Sequence, residues 1–488
     1  MNRPNIVFIL VDDHAPHAIS AYGSVVNSTP NIDRLAHEGA RLDAMFCTNS
    51  ICTPSRASIL TGTYSHVNGV PSIFSEMDYR VPTFVDVLHE QGYATALFGK
   101  WHLGESQSAQ PRNFDEWLVF PGQGDYNDPL MIGPNGEQRM AGYATDIVTD
   151  LALDWLERRN NEQPFALFVH HKAPHSPWVP DPKHSHLYPV GSIPEPETLH
   201  DDHASLGTWV SRTTMSIADD LTKDYIPDEV PQELLGDDKR RERASWKYQR
   251  YMRNYLQCIQ SIDDNVKRVL DGLDDAGIAE DTIVVYCSDQ GFFLGDHGWF
   301  DKRLMFEQSL QMPTLFRYPR SIRPGTAVEN IVTNIDFADT LLELCGIDVE
   351  TALPSSQGTS FAPLLRGEEV HEWATSMYYR YWEHDDPNHH VSAHYGVRTL
   401  THKLICYYND GLGVPGASST HYPMEWELFD LEKDPAELHN VIDDPAYTQI
   451  LADLRGELAR LQKHYGDEPY NGPGTPHPEW AEGFQQFS

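Results

Sequence analysis

The chain has 488 residues, of which 40% are hydrophobic and 11% aromatic, enough apolar material for a large buried core and too much for a disordered protein. Acidic residues number 72 against 36 basic ones, a formal charge of -36. Nucleic acid and anionic membrane both demand a basic footprint and are therefore poor partners.

In chain order, "NIVFILVDDH" is a continuous apolar run without alternation, the pattern of a parallel strand buried on both faces, and it ends in Asp12 and Asp13. "CTPSRASILTG" reads as a helix that follows Pro30–Glu38 and a strand from Arg41. Next come a helix over Thr83–Gln91, capped by Gly92, and a strand over Ala94–Phe98 that runs into "GKWHLG". "TDIVTDLALDWLERR" has helical apolar spacing, and "PFALFVHH" is a strand with histidines at its end. Residues 178–245 are rich in Pro, Asp and His and read as an insertion, a candidate lid. "YLQCIQSIDDNVKRVLDGLDDAG" then gives a helix from Tyr255, and "DTIVVYCSDQG" another buried strand.

This alternation predicts an α/β fold with a doubly wound, mostly parallel sheet over residues 1–370. From residue 371 to 488 the pattern changes to antiparallel strands in "ATSMYYRYWE", "YGVRTLTHKLICYYND" and "EWELFDLEKDP", with one helix in "YTQILADLRGELARLQKHY". That is a smaller α+β unit with an irregular tail from Gly466.

Polar groups recur at the ends of the predicted strands: Asp12-Asp13, Lys100-His102, His171-His175 and Asp289-Gln290. In an open α/β sheet such ends meet at one crevice. Asp12, Asp13, Asp289 and Gln290 offer only oxygen donors, which suits a hard divalent cation, Ca²⁺ or Mg²⁺. Strand-end aspartates also cap helices, and for either pair alone that reading stays open. Arg56, Lys100 and Lys302 could neutralise a tetrahedral oxyanion, and a histidine could protonate a leaving oxygen. Cys52 is the odd member. The six cysteines, at 47, 52, 258, 287, 345 and 406, form no CxxC pair or dense framework, and a soft thiolate is a poor match to a hard, oxygen-bound metal.

The stretch "CTPSR" with Thr61-Gly62 resembles the maturation signature of the type I sulfatases, members of the alkaline phosphatase superfamily. The resemblance continues through "PNIVFILVDDH", "GYATALFGKWHLG", "HHKAPHSPW", "DTIVVYCSDQGFFLGDHGWFDKRLMFEQS" and "ELFDLEKDPAELHN" and so spans nearly the whole chain. It implies that Cys52 is oxidised to formylglycine by a formylglycine-generating or radical sulfatase-maturating enzyme. It further implies that Asp12, Asp13, Cys52, Asp289 and Gln290 hold the metal, with Ca²⁺ favoured over Mg²⁺. Arg56 would orient the aldehyde hydrate, Lys100 and Lys302 would grip sulfate, His102 would assist the nucleophile and His175 would be the leaving-group acid. Relatives often carry Asn or His at the position of Gln290.

Within the family the chain looks most like bacterial carbohydrate sulfatases of the N-acetylglucosamine-6-sulfatase type. A small sulfated sugar is the expected substrate, with His171, Trp178, His394 and Arg398 facing it. The alternatives are a phosphonate monoester or phosphodiester hydrolase, an arylsulfatase, or a non-catalytic glycan-binding relative. No leader or spanning segment is visible in the sequence, which predicts a soluble cytoplasmic protein.

Overall fold

The computed structural model describes residues 3–472. Strand β1 (Asn5–Val11) is buried from its second residue onward. Its side chains divide by parity: Ile6, Phe8 and Leu10 enter one apolar cluster, and Val7, Ile9 and Val11 enter another. A strand loses both faces to the core only when helices cover both sides of its sheet.

Among the described residues the main sheet also contains β2 (Ala40–Leu42), β3 (Ala94–Lys100), β4 (Glu116–Phe120), β5 (Leu130–Gly133), β6 (Gly136–Arg139), β7 (Phe165–His170), β8 (Thr282–Ser288), β9 (Thr314–Arg317) and β10 (Thr326–Val328). The order is β10-β2-β9-β8-β1-β7-β3-β4-β5-β6. The central β8, β1, β7, β3 and β4 are parallel, whereas β9, β5 and β6 run antiparallel to the neighbours they join. The four strands whose ends were singled out, β8, β1, β7 and β3, are consecutive in the sheet, so their polar ends share one edge.

One face carries α1 (Pro30–His37), α4 (Ala144–Arg158) and α5 (Arg240–Asp275); the other carries α2 (Cys52–Thr61), α3 (Phe84–Glu90) and α6 (Asp336–Leu344). Thr83 and Asp86 start α3 with a reciprocal capping box. Helix α5 begins at Arg240, inside the expected insertion, rather than at Tyr255. Its first turn, Arg240–Arg243, is entirely charged, and before Tyr255 only Ala244, Lys247, Tyr248, Tyr251, Met252 and Asn254 are buried, so charge masks the apolar spacing in the sequence. The stretch before it, from residue 178, has only short 3₁₀ turns and packs Trp209, Ile217 and Leu221 into the core.

A second sheet of four antiparallel strands follows: β11 (Ser376–Tyr381), β12 (His394–Thr399), β13 (His402–Tyr407) and β14 (Glu425–Asp430). One face packs Tyr378, Val397, Leu404 and Leu428 with Leu454, Leu458 and Leu461 of α7 (Thr448–Tyr465). The other face sends Tyr379, Tyr381, Ile405, Tyr407 and Phe429 into the core of the main sheet. The expected irregular tail falls outside the described residues beyond Gly472; before that, Asp467 is tied down by Arg380 at 2.6 Å and Tyr378 at 2.6 Å. No described helix is long and apolar enough to cross a membrane.

Candidate active site

The crevice is built from strand ends. β1 delivers Asp12 and Asp13, the latter with φ +65°, and β8 delivers Asp289 and Gln290. β3 delivers Lys100 and must pass close to β7 to do so. A Cβ at Gly99 would lie 1.9 Å from the His170 carbonyl oxygen, and φ there is +107°, so only glycine fits. Helix α2 starts at Cys52, and all ten of its residues are buried. It therefore plugs into the centre and offers no face to solvent.

Arg56 organises the carboxylates. Its Nε donates to Asp289 Oδ2 at 2.9 Å, its Nη2 to Asp12 Oδ2 at 3.2 Å, and its Nη1 to the Lys100 carbonyl at 2.9 Å. Lys100 Nζ contacts Asp12 Oδ2 and the Gln123 amide oxygen. Lys302 Nζ and Gln290 Nε2 both donate to Asp13 Oδ1 at 2.5 Å. His175 Nε2 lies 3.7 Å from Asp13 Oδ2, and His102 Nδ1 lies 3.1 Å from the Thr53 hydroxyl. The structure thus brings together Asp12, Asp13, Arg56, Lys100, His175, Asp289, Gln290 and Lys302 through direct contacts. Cys52 and His102 join them at the start of α2.

The electrostatics are those of a dry, charge-dense pocket. Burial pushes the Asp12 carboxyl up, yet Lys100, His175 and Arg56 together hold it well below the usual carboxylate range. Asp13 is pushed up to about 7 by burial, with Lys302 opposing and Asp12 and Asp289 adding. Burial also raises the Cys52 thiol against the pull of Lys100 and Lys302, so the residue as encoded is a thiol and not an activated thiolate. His102 and His175 are both held well below the ordinary imidazole value by burial, then by Lys100.

Two buried acceptors in this centre, Asp12 Oδ1 and Gln290 Oε1, have no hydrogen-bond partner. Buried oxygens are rarely left so, and an oxygen-only pair beside the Asp13 and Asp289 carboxylates fits a hard divalent cation. Donor atoms of Asp12, Asp13 and His175 lie within 4.8 Å of one another. An imidazole nitrogen suits such a cation less well than the surrounding oxygens, which favours a proton-transfer role for His175.

The expected sugar-facing residues are placed differently. Trp178 is 2% exposed, with its ring 4.5 Å from Tyr251, and leaves no face for a sugar. His394 is fully buried, stacked near Tyr379 and Tyr381, with Nδ1 on the Ser392 carbonyl at 2.7 Å. Arg398 forms a two-point ion pair with Glu307 at 3.1 and 2.8 Å. His171 is buried, with its backbone N–H on the Leu10 carbonyl. Sequence reasoning missed Gln123, which follows β4 and so sits at a fifth strand end. It also missed Ser55 and Asn334, which support the Asp289 backbone: Ser55 donates to the Asp289 carbonyl and accepts from Asn334 Nδ2 at 2.9 Å.

The sulfatase family model matches residues 4–347, and the model for the C-terminal part of N-sulphoglucosamine sulphohydrolase matches residues 295–464. The chain belongs to the sulfatase family. This sulfatase is 38% identical to N-acetylglucosamine-6-O-sulfatase of Bacteroides thetaiotaomicron, with 95% of this chain and 87% of the relative covered. It superposes with a TM-score of 0.87 and 37% identity on a solved protein in complex with its substrate D-glucosamine-2-N,6-O-disulfate, over 98% of this chain and 100% of that one. Phosphonate monoester hydrolase of Agrobacterium radiobacter shares the fold at a TM-score of 0.74 and 19% identity.

Proposed function

We propose that this sulfatase hydrolyses the 6-O-sulfate of a small glucosamine derivative, using formylglycine made from Cys52 and a divalent cation, Ca²⁺ in preference to Mg²⁺. The observation that supports it best is full-length likeness, at 37–38% identity, to a curated relative and to a solved structure that are each described by sulfated glucosamine chemistry. The filled strand-end constellation stands with it. Asp12, Asp13, Asp289, Gln290 and residue 52 would hold the cation, which supplies Lewis-acid stabilisation of charge on the sulfate oxygens. Converted to formylglycine, residue 52 would supply a hydrated aldehyde, one oxygen attacking sulfur and the other, once deprotonated, expelling sulfate.

The chain's own side chains do the rest. Arg56 fixes Asp12 and Asp289 and faces residue 52 from one helical turn away. Lys100 and Lys302 bring positive charge to the carboxylates and to an arriving sulfate. His102, linked to the hydroxyl of Thr53 next in sequence to residue 52, would take the proton. His175 gives a proton to the leaving sugar oxygen as the S–O bond breaks. Burial and then Lys100 hold its imidazole below the ordinary value, and the negative charge of an arriving sulfate works in the opposite direction. The acidic balance of the chain, 72 carboxylates against 36 basic residues, disfavours a long polyanionic substrate and favours a mono- or disaccharide.

The test has two parts. Mass spectrometry of the peptide holding residue 52, from protein made with a maturation enzyme, should show aldehyde in place of thiol. Turnover should then favour 6-O-sulfated N-acetylglucosamine over its 3-O and 4-O isomers, and an aryl sulfate over the matching aryl phosphate. An unmodified thiol, or equal rates on all isomers, rejects the proposal.

A further inference from the structure

The histidine assigned above as leaving-group acid is held by side chains that lie outside the centre. His175 Nδ1 sits 2.7 Å from the Ser176 carbonyl oxygen. A carbonyl can only accept, so Nδ1 carries hydrogen, and Nε2 is the atom that gains and loses the proton. Nε2 in turn faces Asp13. Two further groups clamp the same turn. Tyr126 OH donates to the His175 carbonyl at 2.7 Å. Lys172 Nζ donates to the Ser176 carbonyl at 3.3 Å, on the same oxygen that receives Nδ1–H. The His175 N–H closes the turn onto the Lys172 carbonyl at 3.0 Å, and the Lys172 amino group lies 5.0 Å from the centroid of the Tyr126 ring. Lys172 is 3% exposed and Tyr126 4%. A lysine buried beside a tyrosine face, donating to a backbone carbonyl, is costly to keep for packing alone.

We propose that Tyr126 and Lys172 are positioning residues that lock His175 in the Nδ1–H tautomer with Nε2 aimed at the leaving oxygen. The inference rests on the reading of His175 as the acid. The Lys172 charge itself opposes a proton on His175, so its contribution comes through the shared carbonyl and the geometry of the turn. The step served is a proton transfer from Nε2 to the sugar oxygen as its bond to sulfur breaks, with no change of oxidation state.

Leaving-group dependence separates positioning from mere structure. An alkoxide leaving from a sugar needs a proton in the transition state, whereas a nitrophenolate leaves without one. The experiment compares kcat/KM for a 6-O-sulfated glucosamine derivative and for 4-nitrophenyl sulfate in His175→Ala, Tyr126→Phe and Lys172→Met, all matured and metal-loaded. The two positioning variants nearly conserve volume, and either alone suffices for the test. Expected is a loss of about tenfold to a hundredfold on the sugar ester, with the aryl ester changed less than about twofold, the pattern of a general acid partly disabled. If His175→Ala shows that selectivity and Tyr126→Phe or Lys172→Met loses both substrates equally, or neither, that residue is struck from the assignment. If His175→Ala itself loses both equally, the acid reading is wrong and the inference falls with it.

Discussion

Two of the buried charge clusters among the described residues behave differently. At the strand ends, Arg56, Lys100 and Lys302 face Asp12, Asp13 and Asp289, three cations to three carboxylates. Between the two sheets, Arg398 and Lys403 face Glu307 and Glu437. In the second cluster all four carboxylate oxygens are taken: Glu307 by Arg398 and Lys403, Glu437 by Lys403 at 2.5 Å and by the Glu307 N–H at 2.8 Å. Burial works to raise Glu307, but Lys403 and then Arg398 hold it down at about 2. In the first cluster Asp12 Oδ1 and Gln290 Oε1 are left over. In the second cluster the one unpartnered atom is a donor, Arg398 Nη1, whereas in the first the unpartnered atoms are acceptors. Matched charge with every carboxylate oxygen taken makes a fastener between elements; matched charge with open oxygens makes a receptor. A divalent cation added to the balanced first cluster leaves it positive, which is the field a sulfate ester requires.

The largest effect should come from the strand-end centre. Cys52→Ala would remove the proposed nucleophile, and sulfatase turnover should then fall by more than about 10⁴-fold. The melting temperature should change little, because a small thiol is lost from a well-packed helix. Residual activity near the parent level would remove Cys52 from the chemistry. The fastener should respond the opposite way. Arg398→Met leaves Glu307 short of a partner and should cost about 3–5 kcal/mol, the usual penalty for half of a buried pair. Kinetic constants of the folded fraction should stay within about threefold. A raised KM with undiminished stability would return Arg398 to the sugar-binding set.

Another buried carboxylate, outside both clusters, tests the same distinction by pH. Glu427 Oε1 accepts from Gly207 N–H at 2.7 Å and Trp209 Nε1 at 2.9 Å, joining the residue 178–239 stretch to β14, with no cation among its hydrogen-bond partners. Burial pushes it up to about 7 from 4.5, against those hydrogen bonds. A carboxyl raised in the folded state favours folding while protonated, and that advantage is lost as pH climbs from the unfolded value through the folded one. Stability should therefore decline between about pH 4.5 and 7 by about 3 kcal/mol from this group, and Glu427→Gln should flatten the decline. Unfolding curves at several pH values check it; identical profiles for parent and variant would show that Glu427 is ionised in place.

Much of this was legible in the sequence, and the reasons are specific. The run Ile6–Val11 could only be a two-faced strand, and four strands with polar ends imply a shared edge once the sheet is parallel. Glycine before Lys100 and proline and serine after Cys52 are local signals. What stayed hidden depends on distant pairing. Asn334 reaches Ser55 across 279 positions, and Glu307 claims Arg398 across 91, with no periodicity to announce either. Trp178 and His394 misled for a related reason: an aromatic among polar neighbours reads as a sugar platform, whereas its burial is decided by α5 and β13, which pack against it. Helix α5 hid its first turns behind arginines and Glu242.

The smallest predicted effect on stability decides between receptor and fastener most directly. If the open oxygens of Asp12 and Gln290 hold a cation, loading it should stabilise the folded state by RT ln(1 + [L]/Kd), about 2.7 kcal/mol at a hundredfold excess over Kd. Chelation of the matured enzyme should abolish turnover and lower the melting temperature, and added Ca²⁺ should restore both. Asp12→Asn keeps the side chain's size but removes charge from the ligand that carries the orphaned oxygen, so the calcium-induced thermal shift should shrink or vanish. Arg398→Met starts from a lower melting temperature yet should gain the full calcium shift, because none of its partners faces the centre. An equal shift in both variants would mean that the cation binds elsewhere and that the leftover oxygens at the strand ends have some other use.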